Sequence, residues 1–194
     1  MKIIFLTIIA IMAIAQVFIS KSSSQIEQRK YQVLKKYENF EIRKYEPALF
    51  SSVKLGKKGY SESSSEGFRI LAGYIFGDNE KKEKISMTSP VTMELGDTSK
   101  MMFMVPKSHD LESLPHPKNN NIVFEKQEEK YFAAIRFGGW ANDKKIEQYK
   151  SILKAALTKE NIAYKNRFAY LGYNPPYEFI NRRNEVIVEL LNYK

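Results

Sequence analysis

The sequence predicts an α+β fold: a distorted antiparallel β-barrel or curved sheet of about eight strands, with two helices on its outside. Three features point there. Short stretches alternate apolar and polar residues with a period of two, as half-buried strands do, and two other stretches repeat apolar residues at three- and four-residue steps, as helices packed on a surface do. The order strand-strand-helix-strand-strand also occurs twice, over about residues 31–106 and 122–191. A single such unit would leave one sheet face exposed, so two units closing on each other to share a core is the physical expectation.

The chain opens with Met1-Lys2 and an uncharged, largely apolar run from Ile3 to Ile19, followed by Ser20-Lys21-Ser22-Ser23-Ser24. This has the form of a secretory signal over residues 1–24, with Ala13-Ile14-Ala15 as a small-x-small cleavage site and a later cut near Ser20 to Ser24 as the other choice. An uncleaved membrane anchor is the alternative reading. Either way, residues 25–194 form a single domain, and the first reading places it in the secretory lumen or outside the cell.

Phe40–Tyr45 and Ala48–Leu55 read as two strands parted by Glu46-Pro47. Ser63-Ser64-Ser65-Glu66 has the form of a capping box; Phe68, Leu71, Ala72 and Ile75 follow at helical spacing until Gly77-Asp78-Asn79 stops the helix. Lys84 to Leu95 alternates again, with Ile85, Met87, Val91, Met93 and Leu95 on one side and Ser89-Pro90 marking a bend. Proline cannot donate to a strand ladder, so Pro90 marks an edge or bulge, either purely structural or beside a ligand. Met101–Val105 is a further strand, and a polar, proline-rich loop runs from Lys107 to Asn121.

The second half repeats the order. Ile122–Lys126 and Tyr131–Phe137 are strands; Asn142-Asp143 caps a helix whose Ile146, Tyr149, Ile152, Leu153, Ala156 and Leu157 make one apolar face; Phe168–Tyr173 and Asn184–Leu191 are strands. Ser51-Ser52-Val53 aligns with Ala133-Ala134-Ile135 and Ser89-Pro90 with Asn174-Pro175, at offsets of 82 and 85 residues.

Composition narrows the function. With 194 residues, 43% of them hydrophobic, and 12 Tyr and 12 Phe, the chain has ample material for a core. Its 31 basic and 22 acidic residues give a net charge of +9, but the lysines are scattered beside acids and form no basic stripe or nucleic-acid motif. The absence of cysteine removes disulfides, thiol catalysis and cysteine-based metal sites. Only His109 and His116 offer imidazole, both in the proline-rich loop. No nucleophile-base constellation or phosphate loop occurs, and Gly138-Gly139 is only a glycine pair at a strand end.

Four motifs, in this order and spacing, are specific together. They are Tyr37-Glu38-Asn39-Phe40-Glu41-Ile42-Arg43-Lys44-Tyr45, Lys84-Ile85-Ser86-Met87-Thr88-Ser89-Pro90-Val91, Gly172-Tyr173-Asn174-Pro175-Pro176, and Arg182-Arg183-Asn184-Glu185-Val186. Over roughly Tyr31 to Leu191 the chain resembles the SOUL haem-binding proteins. The resemblance implies a distorted β-barrel of duplicated units with two helices. It also implies non-covalent binding of haem or a related tetrapyrrole in an apolar, partly open groove, without a settled catalytic activity.

A porphyrin is a flat apolar plate with two propionates, so its site needs apolar walls and cations at the rim. The helix carrying Phe68, Leu71, Ala72 and Ile75 matches the helix that lines the family's proposed groove, and Met87 and Met93 could add adaptable contacts. Arg182 and Arg183 are the candidates for pairing the propionates. Each has a structural alternative: the stripe is what any helix packing on a sheet shows, two strand methionines suit a core, and Arg182-Arg183 beside Asn184-Glu185 suits a turn held by local ion pairs. Where some relatives carry a histidine proposed as axial ligand, this sequence has Lys44. A binding mode without strong axial ligation is therefore expected, in a carrier, buffer or scavenger of haem. The competing expectation is a domain that uses the same groove for other amphipathic molecules or peptides.

Overall fold

The computed structural model describes residues 26–56, 59–96 and 98–193, so the expected signal segment over 1–24 lies outside the described residues. Eleven elements follow in order: β1 (Tyr31–Lys36), β2 (Glu41–Tyr45), β3 (Ala48–Lys54), α1 (Tyr60–Ile75), β4 (Val91–Leu95), β5 (Lys100–Met104), β6 (Ile122–Gln127), β7 (Lys130–Phe137), α2 (Asp143–Lys159), β8 (Tyr164–Gly172) and β9 (Asn184–Leu190). The strands form one antiparallel sheet in the order β1-β2-β7-β9-β8-β4-β5-β3-β6. Apart from β1, this order reads the same from either end once β2 to β5 are exchanged for β6 to β9. Each half thus lends its first strand to the other: β2 pairs with β7, and β6 with β3.

Strand alternation then sorts the side chains. On one face Val53, Met93, Met101, Phe103, Val186 and Val188 join Leu71 and Ile75 of α1 and Leu153 and Leu157 of α2 in the main core. α1 lies on β3 and β5, and α2 on β7 and β9. Gly67 lets α1 approach closely, for a Cβ there would lie 2.9 Å from Leu55 Cδ1 and 3.0 Å from Met101 Cβ. The other face carries two smaller apolar clusters, one around Ala169, Leu171 and Ile187 and one around Phe50, Met102 and Met104. Tyr45 and Phe132, near one end of the sheet order, line the same cavity as Phe50 and Gln127, near the other end. The sheet therefore curls toward its helix-free face into an open half-barrel.

The structure departs from the sequence expectations at three places. The strands number nine, because β1 adds a mostly exposed strand to the β2 edge. α1 starts at Tyr60 rather than at the Ser63 box; its N-cap, Gly59, offers no side chain, and the Asp143 carboxylate of α2 accepts from the backbone N–H groups of Tyr60 and Ser61. Finally, the expected strand from Lys84 forms a ladder only from Val91. Before it, Thr88 and Ser89 turn inward and donate to the carbonyls of Met104 and Tyr173, at 2.7 and 3.1 Å. The backbone N–H groups of Ile85 and Ser89 donate instead to the carbonyls of Ile75 and Glu27, at 2.8 and 2.9 Å, outside any ladder.

Candidate functional site

The eight residues proposed from sequence do not meet in one cavity. Leu71, Ala72, Ile75 and Met93 are buried in the core between helix and sheet, and Met87 packs against that core. Phe68 alone of the helical stripe faces outward, 40% exposed, with its ring 5.5 Å from Phe103. Arg182 donates to the carbonyls of Pro175 and Glu178, at 2.8 and 2.6 Å, and lies over the Trp140 ring. Arg183 donates to Glu185 Oε1 and to the Tyr31 hydroxyl, each at 2.9 Å, and stacks 3.8 Å over Tyr173. Both arginines hold the β8–β9 connection.

Arg183 belongs to a buried polar network on the helix-free face. Glu185 in β9 is 0% exposed, and its carboxylate takes a fork from Arg43 of β2, at 2.7 and 3.1 Å. It also accepts from the Tyr173 hydroxyl at 2.9 Å. Arg43 donates further to Glu41 and to the Tyr45 hydroxyl, at 3.0 and 3.2 Å. Burial alone would raise the Glu185 pKa, but the hydrogen bonds and charges of Arg43 and Arg183 outweigh it and hold the pKa below its ordinary value. Burial also pushes Tyr45 up to about 12, helped by the Glu185 charge and opposed by Arg43, so its phenol stays protonated.

Beyond this network the helix-free face opens into one cavity, and a second adjoins it at the rim of the sheet, where Leu49, Val105 and Phe124 pack against the main core. The inner one, about 110 Å³, is walled by Tyr45, Phe50, Met102, Leu171 and Ile187, with Glu94, Lys130, Arg167 and Glu189 around it. The outer one, about 520 Å³, is an open cleft between the β2–β3 turn, the segment 104–111 and β6. Its walls are Pro47, Ala48, Leu49, Val105, Leu111 and Phe124, and Lys30, Lys107 and Lys126 stand around it with Glu46 and Asp110. Arg29 and Met104 line both cavities.

None of the eight residues lines either cavity; Ile75 touches only a void of about 10 Å³ beneath α1. The reason is physical: an apolar stripe spaced for a helix is consumed by the sheet it packs on, whereas the cleft is built from a turn and a loop. His109, one of the two imidazoles, does line the outer cleft, with Nε2 3.4 Å from Glu83 Oε1 and Nδ1 3.0 Å from the Ser108 hydroxyl. Lys44 pairs with Glu129 at 2.9 Å. Among the described residues no three His, Cys, Asp or Glu side chains gather as a metal site.

A model of the SOUL heme-binding proteins matches residues 26–189. The chain belongs to the SOUL heme-binding family. Heme-binding protein 1 of Xenopus laevis is 30% identical to it over 155 residues, 76% of this chain and 81% of that protein. Human heme-binding protein 2 is 29% identical over 157 residues, 76% of each chain. The same architecture occurs in the C-terminal domain of EcmrR, with a TM-score of 0.62 over 84% of this chain and 99% of that one, at 10% identity. A hydrolase from Listeria innocua gives 0.56 over 89% and 97%, at 7% identity. At such identities only the fold is shared. In this SOUL chain all four motifs end at one place: Arg43 and Tyr45 from the first, Tyr173 from the third, and Arg183 and Glu185 from the fourth form the network, and Ser89 of the second donates to the Tyr173 carbonyl.

Proposed function

We propose that this SOUL-family protein binds haem or a related tetrapyrrole non-covalently in the outer cleft, and that it carries, buffers or scavenges that ligand in the secretory pathway rather than transforming it. Family membership supports the ligand class, since the relatives are named as heme-binding proteins. The observation that carries the site is the cleft itself. At about 520 Å³ it lies within the ~300–1,000 Å³ of small-molecule sites, and it combines apolar walls with lysines around its mouth. A flat plate with an acidic edge fits such a donor set: the plate lies against Leu49, Leu111 and Phe124, and the propionates face the cations. The macrocycle supplies most of the contact. His109 is the imidazole nearest to hand, but Glu83 and Ser108 already hold it, which agrees with a grip that does not depend on the iron. The signal-like first 24 residues support the secretory placement.

The test is a titration of the purified protein with ferric haem and with metal-free protoporphyrin, read by Soret absorbance and porphyrin emission. Both should saturate at one-to-one with similar affinity. Leu111 is 60% exposed in its loop, so Leu111→Asp leaves the fold intact; it should weaken both ligands about tenfold by placing a charge against the plate. Phe68→Asp, outside the cleft, should leave them unchanged. The opposite pattern would move the site to the face of α1, and no saturation by either porphyrin would favour a site for other amphiphiles.

A further inference from the structure

Among the described residues, three buried side-chain atoms lack a hydrogen-bond partner: Arg29 Nη2, Glu178 Oε2 and Arg182 Nε. Of these residues only Arg29 lines the cavities, and it lines both. Two rings and two hydrogen bonds hold the rest of its guanidinium. The Tyr45 and Phe50 rings flank it with centroids 5.2 and 5.3 Å from Cζ. Nε donates to the Glu46 carbonyl at 3.0 Å, and Nη1 to Gln127 Oε1 at 2.9 Å. Both acceptors are neutral. Burial depresses the Arg29 pKa to about 10, only partly offset by Tyr45, as expected for a cation that the fold moves out of water without a carboxylate beside it.

Arg43 shows what the fold does when it means to satisfy an arginine, for there every donor finds a phenol or a carboxylate. An unfilled, desolvated guanidinium edge is costly in isolation and strongly favourable once a carboxylate completes it. The lysines at the mouth cannot supply the same selectivity: Lys107 is exposed and already beside Glu46 at 3.4 Å, where solvent and salt weaken any attraction.

We propose that Arg29 is the carboxylate anchor of the cleft, so that the site selects apolar ligands carrying a free acid and rejects the same ligand when that acid is masked. For a tetrapyrrole the anchored group is one propionate, taken up by the Nη2 edge between the two cavities while the macrocycle lies in the outer one. This rests on the tetrapyrrole reading above. It assigns acid recognition to a residue outside all four motifs, in place of Arg182 and Arg183, which hold the β8–β9 connection and Glu185 and line neither cavity.

The experiment compares protoporphyrin with its dimethyl ester, which keeps the plate and removes both acids. The diacid should bind at least about tenfold tighter than the diester to the native protein. In Arg29→Met the two should come within about twofold, with diester affinity unchanged and the unfolding midpoint recorded beside it. Arg29→Lys, which keeps the charge and loses the fork, should recover only part of the discrimination. If Arg29→Met does not fold, the native comparison and Arg29→Lys decide the question. Equal binding of diacid and diester to the native protein overturns the anchor and leaves the tetrapyrrole reading intact, as does undiminished discrimination in a folded Arg29→Met. Failure of both porphyrins to bind overturns the tetrapyrrole reading and this proposal with it.

Discussion

Replacing Glu185 by glutamine tests whether the network on the helix-free face is a buried, charge-balanced core element. The amide keeps the shape of the side chain and one acceptor, removes the charge and turns the other acceptor into a donor. Arg43, 4% exposed, then loses the ionic half of its 2.7 and 3.1 Å fork, and Arg183 loses its carboxylate at 2.9 Å. Removing one partner of a buried ion pair costs about 3–5 kcal/mol, because the remaining charge stays out of water. Against a total of about 5–15 kcal/mol for a domain, that is a large share. At about 2–4 °C per kcal/mol for a chain of this size, the thermal midpoint should fall by roughly 6–20 °C. Urea unfolding followed by far-UV circular dichroism should show the midpoint moving with little change in slope. A loss under about 1 kcal/mol would refute the reasoning, since it would mean that water reaches the two guanidinium groups.

The same variant fixes the sign of the acid dependence. The folded Glu185 pKa is depressed. Its ionisation therefore adds stability that is present above the unfolded value, about 4.3, and is lost as pH falls through the folded one. The native protein should lose stability more steeply with falling pH below about 4.3 than Glu185→Gln does, the difference approaching one proton, or about 1.4 kcal/mol per pH unit. A parallel pair of curves would show that other carboxylates govern acid unfolding.

Two further predictions concern the helices. Asp143→Ala removes the acceptor for the Tyr60 and Ser61 backbone N–H groups and should cost about 1 kcal/mol, with faster hydrogen exchange confined to the first turn of α1; Asp143→Asn should restore most of it, and α2, capped by Asn142, should be unaffected. Gly67→Ala gains helix propensity of up to about 1 kcal/mol but brings a Cβ against Leu55 Cδ1 and the less yielding Met101 Cβ, so chemical denaturation should show a net loss of about 1 kcal/mol. A stabilised Gly67→Ala would show that α1 can lift from the sheet.

The sequence made legible those features that each residue reports locally. Alternation located β2, β3 and β5 to β9 to within a few residues, and Asn142 does cap α2, accepting from the Lys145 N–H at 2.8 Å. What it missed was set by partners distant in the chain. β1 has few buried positions, so its sequence carries no apolar alternation that would mark it as a strand. The start of α1 depends on Asp143, 83 residues away, and a local serine run could not reveal it. For the site, Leu71, Ala72 and Ile75 satisfied two demands at once, a helix packed on a sheet and an apolar groove, and periodicity cannot separate them. Glu185 did carry a signal: an acid directly before the apolar run Val186-Ile187-Val188 in a buried strand, with Arg43 in a strand of the same face. Opposite charges in two buried strands call for each other.

The contrast between Arg43 and Arg29 joins the network to the cleft. Tyr45 serves both: its hydroxyl accepts from Arg43, and its ring lies beneath Arg29. Glu185 therefore fixes Arg43, Arg43 helps to fix Tyr45, and Tyr45 flanks the unfilled guanidinium at the junction of the two cavities. The motifs that identify the family contribute the satisfied arginine, and the segment before β1 contributes the unsatisfied one, laid between the Glu46 carbonyl at the end of β2 and Gln127 on the opposite edge strand, β6. On this view the motifs close the half-barrel and set the geometry of its seam, while ligand preference lies in the residues that line the seam. Two chains could share all four motifs and differ in the acids they accept, according to what stands at position 29.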